Sequence, residues 1–211
     1  MTEEQTRIVL QEKGKMMPDT HAHTALLVMD MQEGIVARLA QQRDVLTPVR
    51  TAIDAARGAS IPIIYVAVTF RPGYPEISPS NKSFSTLKEQ PSSLLTGKAM
   101  EIASALAPQP TDIVATKRRV SAFSGSDLAV VLRAQSISHL VLCGIATSGV
   151  VLSTLREAAD KDYQLTVLAD CCFDNDAEVQ RVLLTKIFPR QAEVLQVETW
   201  KMKLLSGELQ K

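Results

Sequence analysis

The chain alternates between short, nearly unbroken apolar runs and longer stretches in which apolar residues return at every third or fourth position. Thr24 to Met29, Ile61 to Phe70, Thr111 to Lys117, His139 to Gly144, Leu165 to Leu168 and Glu193 to Val197 are of the first kind, the pattern of strands buried on both faces. Asp44 to Ala56 is of the second kind, with Val45, Val49, Ile53 and Ala56 on one face and Gly58 closing it. Helices are likewise predicted over Thr96 to Leu106, Ser126 to Ala134, Thr147 to Asp160 and Asp176 to Phe188. Strand and helix in strict alternation imply an α/β fold, a mainly parallel sheet covered on both faces by helices through right-handed crossovers. One stretch breaks the rhythm. Arg71 to Ser93 holds four prolines, one glycine and many serines, a long loop of the size that compact domains use as a lid, binding loop or interface.

Polar groups at the ends of the apolar runs carry the chemistry. Strand one is free of charge until Asp30, at the carboxyl end where open parallel sheets bind their ligands. The third run ends on Lys117, and the fourth runs into Gly144-Ile145-Ala146-Thr147-Ser148-Gly149, a small-residue turn that opens a helix. Thr147 or Ser148 is a natural N-cap there, so backbone N–H groups point toward the crevice and suit an anion or a developing oxyanion. An aspartate at a strand end also caps turns, but the accompanying motifs favour a reactive carboxyl. Gln32 is read as a polar support for Asp30. Arg71, Tyr74 and Phe123 are candidate substrate contacts. An aromatic wall beside a cation suits a small, flat carboxylate, and Lys117 with Arg71 at the mouth favours an anionic ligand.

Three motifs recur in a telling order: D-x-Q at Asp30 to Gln32, K-x-R-x-S-A-F at Lys117 to Phe123, and G-x-A-T-x-x-x-V from Gly144 to Val151. In that order and spacing, over about Thr24 to Val197, the chain resembles the isochorismatase-like hydrolases of the cysteine hydrolase superfamily. The resemblance implies a six-stranded, Rossmann-like three-layer α/β/α fold with strand order 3-2-1-4-5-6. It also implies a triad of Asp, Lys and Cys whose first two positions fall on Asp30 and Lys117, a non-proline cis peptide at Ile145-Ala146, and a homo-oligomer. In that strand order Lys117 lies two strands from Asp30, about 10 Å at the usual spacing.

The triad's third position falls on Val150, and valine supplies no thiolate. Relatives that cleave the vinyl ether of isochorismate also lack the cysteine, with glycine in its place. There the aspartate serves as acid while water attacks. The expectation is therefore a hydrolase of a small anionic molecule, with Asp30 as general acid or base beside Lys117. The alternatives are a decayed site that binds ligand or joins an assembly, and an amide hydrolase in which Cys143 or Cys172 replaces the lost nucleophile.

Composition trims the remaining possibilities. At 211 residues and 45% hydrophobic content, one domain is expected over residues 21–211 behind an amino-terminal extension of residues 1–20. Lys plus Arg equals Asp plus Glu at 23 each, which removes any overall field for nucleic acid. No apolar run reaches the roughly 18 residues of a membrane span, and no signal peptide is evident, so cytoplasmic residence is expected. The three cysteines are read as free, buried thiols. The three histidines, His21, His23 and His139, sit at or before strand starts, far from the carboxyl-end crevice. That disfavours a serine–histidine mechanism and a metal site, and no metal or cofactor is expected. Trp200 to Leu205 has the apolar content to join a subunit interface.

Overall fold

The computed structural model describes residues 23–40, 44–89 and 97–207; the expected extension over residues 1–20 lies outside them. Six parallel strands form one sheet in the order β3-β2-β1-β4-β5-β6, from β1 (Thr24–Met29), β2 (Ile63–Val68), β3 (Ile113–Lys117), β4 (His139–Ile145), β5 (Gln164–Phe173) and β6 (Glu193–Leu195). The strand order implied by the family resemblance is the observed one.

Side chains alternate across the pleat, so each central strand feeds two cores. From β1, Leu26 and Val28 enter one cluster and Ala25, Leu27 and Met29 the other. The first is covered by α1 (Glu33–Ala40), α2 (Thr47–Gly58), which brings Val49, Ala52, Ile53 and Ala56, and the carboxyl-terminal Val197–Ser206 helix, which brings Trp200 and Leu204. The second is covered by the helices α4 (Leu128–Ala134) and α5 (Leu152–Ala159) and by Leu183 and Phe188 beyond them. Each large side chain so buried contributes about 1.5–3 kcal/mol. Trp200 and Leu204 point into the first of these cores, and Met202 and Leu205 are the exposed apolar residues of the Val197–Ser206 helix.

Several elements differ from expectation, each for a local reason. Asp44 does not begin the second helix; its carboxylate accepts the N–H groups of Leu46 and Thr47, with Pro48 in the first turn. The long loop contains a helix, α3 (Lys82–Glu89), whose start is capped where Asn81 accepts the Phe84 N–H at 3.1 Å. Among the described residues of the stretch predicted as a helix from Thr96, no α-helix forms. The described part has two short 3-10 turns, Gly97–Met100 and Ser104–Leu106. Ile102 between them is drawn into an antiparallel bridge with Gln32, and Ala103 N–H donates to Met31 O at 2.8 Å. Strand β5 runs on to Phe173 because an irregularity opposite Leu142 and Gly144 restores its pairing, so Cys171 and Cys172 lie inside it.

Candidate active site

The carboxyl ends of β1 and β4 are held close at one glycine. Met29 pairs with Gly144, and a Cβ at Gly144 would stand 2.4 Å from Met29 O. Immediately after this contact the chain turns at Asp30, whose φ of +54° is left-handed, a conformation that aspartate tolerates better than most residues. Asp30 N–H still bonds Val66 O at 2.8 Å. Beyond it, the Gln32 side chain takes over as the neighbour of β2: Oε1 accepts Val68 N–H at 3.0 Å, and Nε2 donates to Val68 O at 3.1 Å and Met100 O at 2.6 Å. The amide imitates a strand's own backbone, and this fixes the departure of the Asp30 turn.

Lys117 pairs with Val68 at the end of β3 and reaches across β2. Its Nζ lies 2.9 Å from Asp30 Oδ2, with both side chains buried. The same ammonium donates to Arg119 O at 3.0 Å and Val120 O at 3.2 Å, so its three N–H bonds are all engaged. Asp30 Oδ1 is buried and has no hydrogen-bond partner. Burial pushes the Asp30 carboxyl up from 3.8 to about 6, against the charge and hydrogen bond of Lys117 and, more weakly, the backbone N–H of Val68, which pull it down. Desolvation is the stronger influence, and the group exchanges its proton near neutrality.

The turn after β4 contains a cis peptide at Ile145-Ala146. Neither Thr147 nor Ser148 is an N-cap, correcting the sequence expectation. Ala146 precedes the helix without a side-chain cap, and the first turn, Thr147–Val151, is a π turn that continues into α5 (Leu152–Ala159). Thr147 Oγ1 donates to Gln180 Oε1 at 2.6 Å. Ser148 N–H is bonded by the buried Asp174 Oδ2 at 2.8 Å and Gly149 N–H by Ala146 O at 3.0 Å. Two of the N–H groups expected to face a ligand are thus engaged within the chain. Val150 is buried in the same apolar cluster as Phe123, Ala122 and Met29.

Arg71 and Phe123 are committed elsewhere. Arg71 is paired with Glu76, Nη1 to Oε1 at 2.6 Å, and Arg118 and Arg119 hold the same segment through Glu76 Oε1 and Glu76 O. Tyr74 packs edge-on to Phe70. Phe123 is buried, with its ring against Tyr163 and beneath Lys161 Nζ. All three cysteines are free and buried. Burial pushes the Cys143 and Cys171 thiols far up and the Cys172 thiol to about 12. Among the described residues no three His, Cys, Asp or Glu side chains converge to hold a metal ion, and no helix is long and apolar enough to cross a membrane.

Sequence reasoning missed the polar groups that brace the site: Thr154, Glu157, Asp174 and Gln180. Thr154 and Glu157 follow Val150 at helical spacing, which is the one signal that places them on its face.

The family model described as the isochorismatase domain matches residues 24–199. The ureidoacrylate amidohydrolase RutB of Stutzerimonas stutzeri (strain A1501) is 32% identical over 201 residues, covering 85% of this chain and 77% of that protein. RutB of Pseudomonas syringae pv. syringae (strain B728a) is 32% identical over 201 residues, covering 84% and 78%. Among solved structures, an isochorismatase family protein from Burkholderia thailandensis is 29% identical with a TM-score of 0.75, covering 87% of this chain and 96% of that one. A cysteine hydrolase from Pseudomonas syringae pv. phaseolicola 1448A is 25% identical with a TM-score of 0.77, covering 88% and 94%. A domain match over nearly all the described residues, joined to a sheet of this order, means that the chain belongs to the isochorismatase family and is an isochorismatase-like hydrolase.

Proposed function

We propose that the chain hydrolyses a small molecule at the Asp30–Lys117 pair, with water rather than a thiolate attacking. The observation that carries this reading is the state of Asp30: one oxygen on Lys117 at 2.9 Å, the other buried without a partner, and a carboxyl raised to about 6. Such a group delivers a proton to a leaving atom or removes one from water at neutral pH. Lys117 holds negative charge that develops beside it. The position that the family resemblance gives to a nucleophilic cysteine is Val150. The three thiols present are buried and strongly disfavoured as thiolates, which argues against a relocated cysteine.

The relatives named ureidoacrylate amidohydrolase make ureidoacrylate a natural member of the test panel, together with isochorismate, nicotinamide and N-carbamoyl compounds. Turnover is expected in the wild type, absent in Asp30→Asn, and unchanged after treatment with a thiol alkylator. Loss of activity on alkylation would overturn water attack. Turnover retained in Asp30→Asn would remove Asp30 from the reaction. Val150 also favours a second reading, a ligand-binding protein without turnover, which would be left standing by saturable binding of a panel member with no product formed.

A further inference from the structure

Two of the three acceptors around the Lys117 ammonium are carbonyls of the segment that follows it, Arg119 O and Val120 O. The ammonium therefore stays on Asp30 only while this segment stays in place. Arg119 ties one end of the segment to Glu76 O at 2.9 Å, and the helix beginning with the turn that contains Val150 fastens the rest. Ala122 N–H donates to Thr154 Oγ1 at 2.9 Å across 32 residues of sequence, with Thr154 fully buried. Ser121 Oγ donates to Glu157 Oε2 at 2.6 Å, and the same Oγ accepts Phe123 N–H at 3.3 Å. Val150, Thr154 and Glu157 are spaced at four and three residues, one face of a helix. That face presents an apolar residue and then two polar anchors to the Lys117 segment.

We propose that Thr154 and Glu157 are positioning residues that hold the Lys117 ammonium against Asp30 by clamping residues 119–122. The inference rests on the reading of Asp30 and Lys117 as the reactive pair, but its central measurement requires no turnover. Lys117 is the charged side chain in contact with Asp30, while Arg118 and Arg119 are directed at the Glu76 segment and Lys161 pairs with Glu157 at 3.5 Å. Loosening the clamp should therefore reach Asp30 through Lys117.

The Asp30 carboxyl titration is to be followed by carbon-13 NMR in the full-length protein, in wild type, Thr154→Val, Thr154→Ser, Glu157→Gln and Lys117→Met. Lys117 lowers the Asp30 midpoint, so Lys117→Met should raise it above about 6. Thr154→Val, which keeps the shape and removes the acceptor, should raise it in the same direction by a smaller amount. Thr154→Ser, which keeps the acceptor, should restore the wild-type midpoint. Adding Thr154→Val to Lys117→Met should shift the midpoint no further. Where turnover is found, the acidic limb of the pH–rate profile should move with the NMR midpoint. An unchanged midpoint in both Thr154→Val and Glu157→Gln would overturn the proposal. So would a Thr154→Val shift of equal size with and without Lys117, since the effect would then bypass the lysine. Absence of turnover throughout, with the midpoints moving as described, would remove the hydrolytic reading of this pair and leave the clamp intact.

Discussion

The raised carboxyl of Asp30 makes the protein's stability depend on pH in a direction opposite to that of most paired aspartates. The group binds its proton with a midpoint near 6 when folded and near 3.8 when exposed. Between those values the folded state holds a proton that the unfolded state has released, so stability falls as pH rises. The contribution is fully present below about 3.8 and is lost once the pH passes about 6. A shift of about two units corresponds to about 3 kcal/mol. The perturbation is Asp30→Asn, which cannot titrate, and the assay is urea unfolding of both proteins at half-unit steps from pH 3.5 to 7.5 with linear extrapolation to water. The difference, wild type minus variant, should fall by about 3 kcal/mol across pH 4 to 6.5 and be level on either side. Taking the difference cancels the other carboxylates, which titrate in both proteins. A difference that stays within about 1 kcal/mol over the whole range would mean that Lys117 offsets burial completely. A difference that rises with pH would mean that the ion pair outweighs burial, and the proton-exchanging role argued for Asp30 would lose its physical basis.

Two further substitutions test how the sheet sets up the site. Gly144→Ala places a Cβ 2.4 Å from Met29 O and 2.9 Å from Met29 Cβ, where backbone must move; a loss of at least about 2 kcal/mol in urea unfolding is expected, and a loss under about 0.5 kcal/mol would show that β1 and β4 separate freely. Gln32→Leu removes three side-chain hydrogen bonds and leaves Val68 N–H and O without their partner, so a loss of about 3 kcal/mol is expected by the same assay, whereas a neutral outcome would mean that water replaces the amide.

The residues of the pair were legible in the sequence, whereas their meeting was implied only by the family resemblance, through its strand order and its triad. Asp30 and Lys117 stand out because each is the first charge after an apolar run. Strand β1 is buried on both faces and tolerates a charge only where it ends, whereas β3 is an edge strand with Val114 half-exposed, contrary to the expectation of burial on both faces. Which strands are neighbours is settled by packing of the whole sheet, which no local pattern encodes. The gap of about 10 Å between strands one and three closes only because Lys117 spans β2 and is turned inward by carbonyls of its own loop. The Thr96 to Leu106 stretch was misread for the same reason. Its helical spacing is real, yet Ile102 is recruited by Gln32 from 70 residues away, and tertiary pairing overrides propensity. The helix start at Ser148 looked like an open anion seat because the carboxylate that engages its N–H, Asp174, comes from the end of β5, invisible at a distance of 26 residues.

Whether a site with valine at residue 150 is a working site turns on what the rest of it costs. Asp30 is held in a left-handed backbone conformation and Lys117 is nearly inaccessible. A strained residue of this kind costs on the order of 1 kcal/mol, and apolar side chains in place of a buried ion pair are commonly neutral or stabilising. The fold does not depend on either charge for its stability. A ligand seat alone needs no carboxyl kept half-satisfied, with Oδ1 buried and unpartnered, since such an oxygen weakens the fold without orienting anything. A proton-transfer group needs that oxygen, because the lone pair that would satisfy the protein is the one that must meet the substrate or its attacking water. Asp30→Asn, which suits the left-handed turn as aspartate does, combined with Lys117→Met should therefore be at least as stable as wild type at pH 7.5 and have no turnover. A double variant less stable than wild type would show that the pair serves the fold, and would remove this reason for assigning it to catalysis.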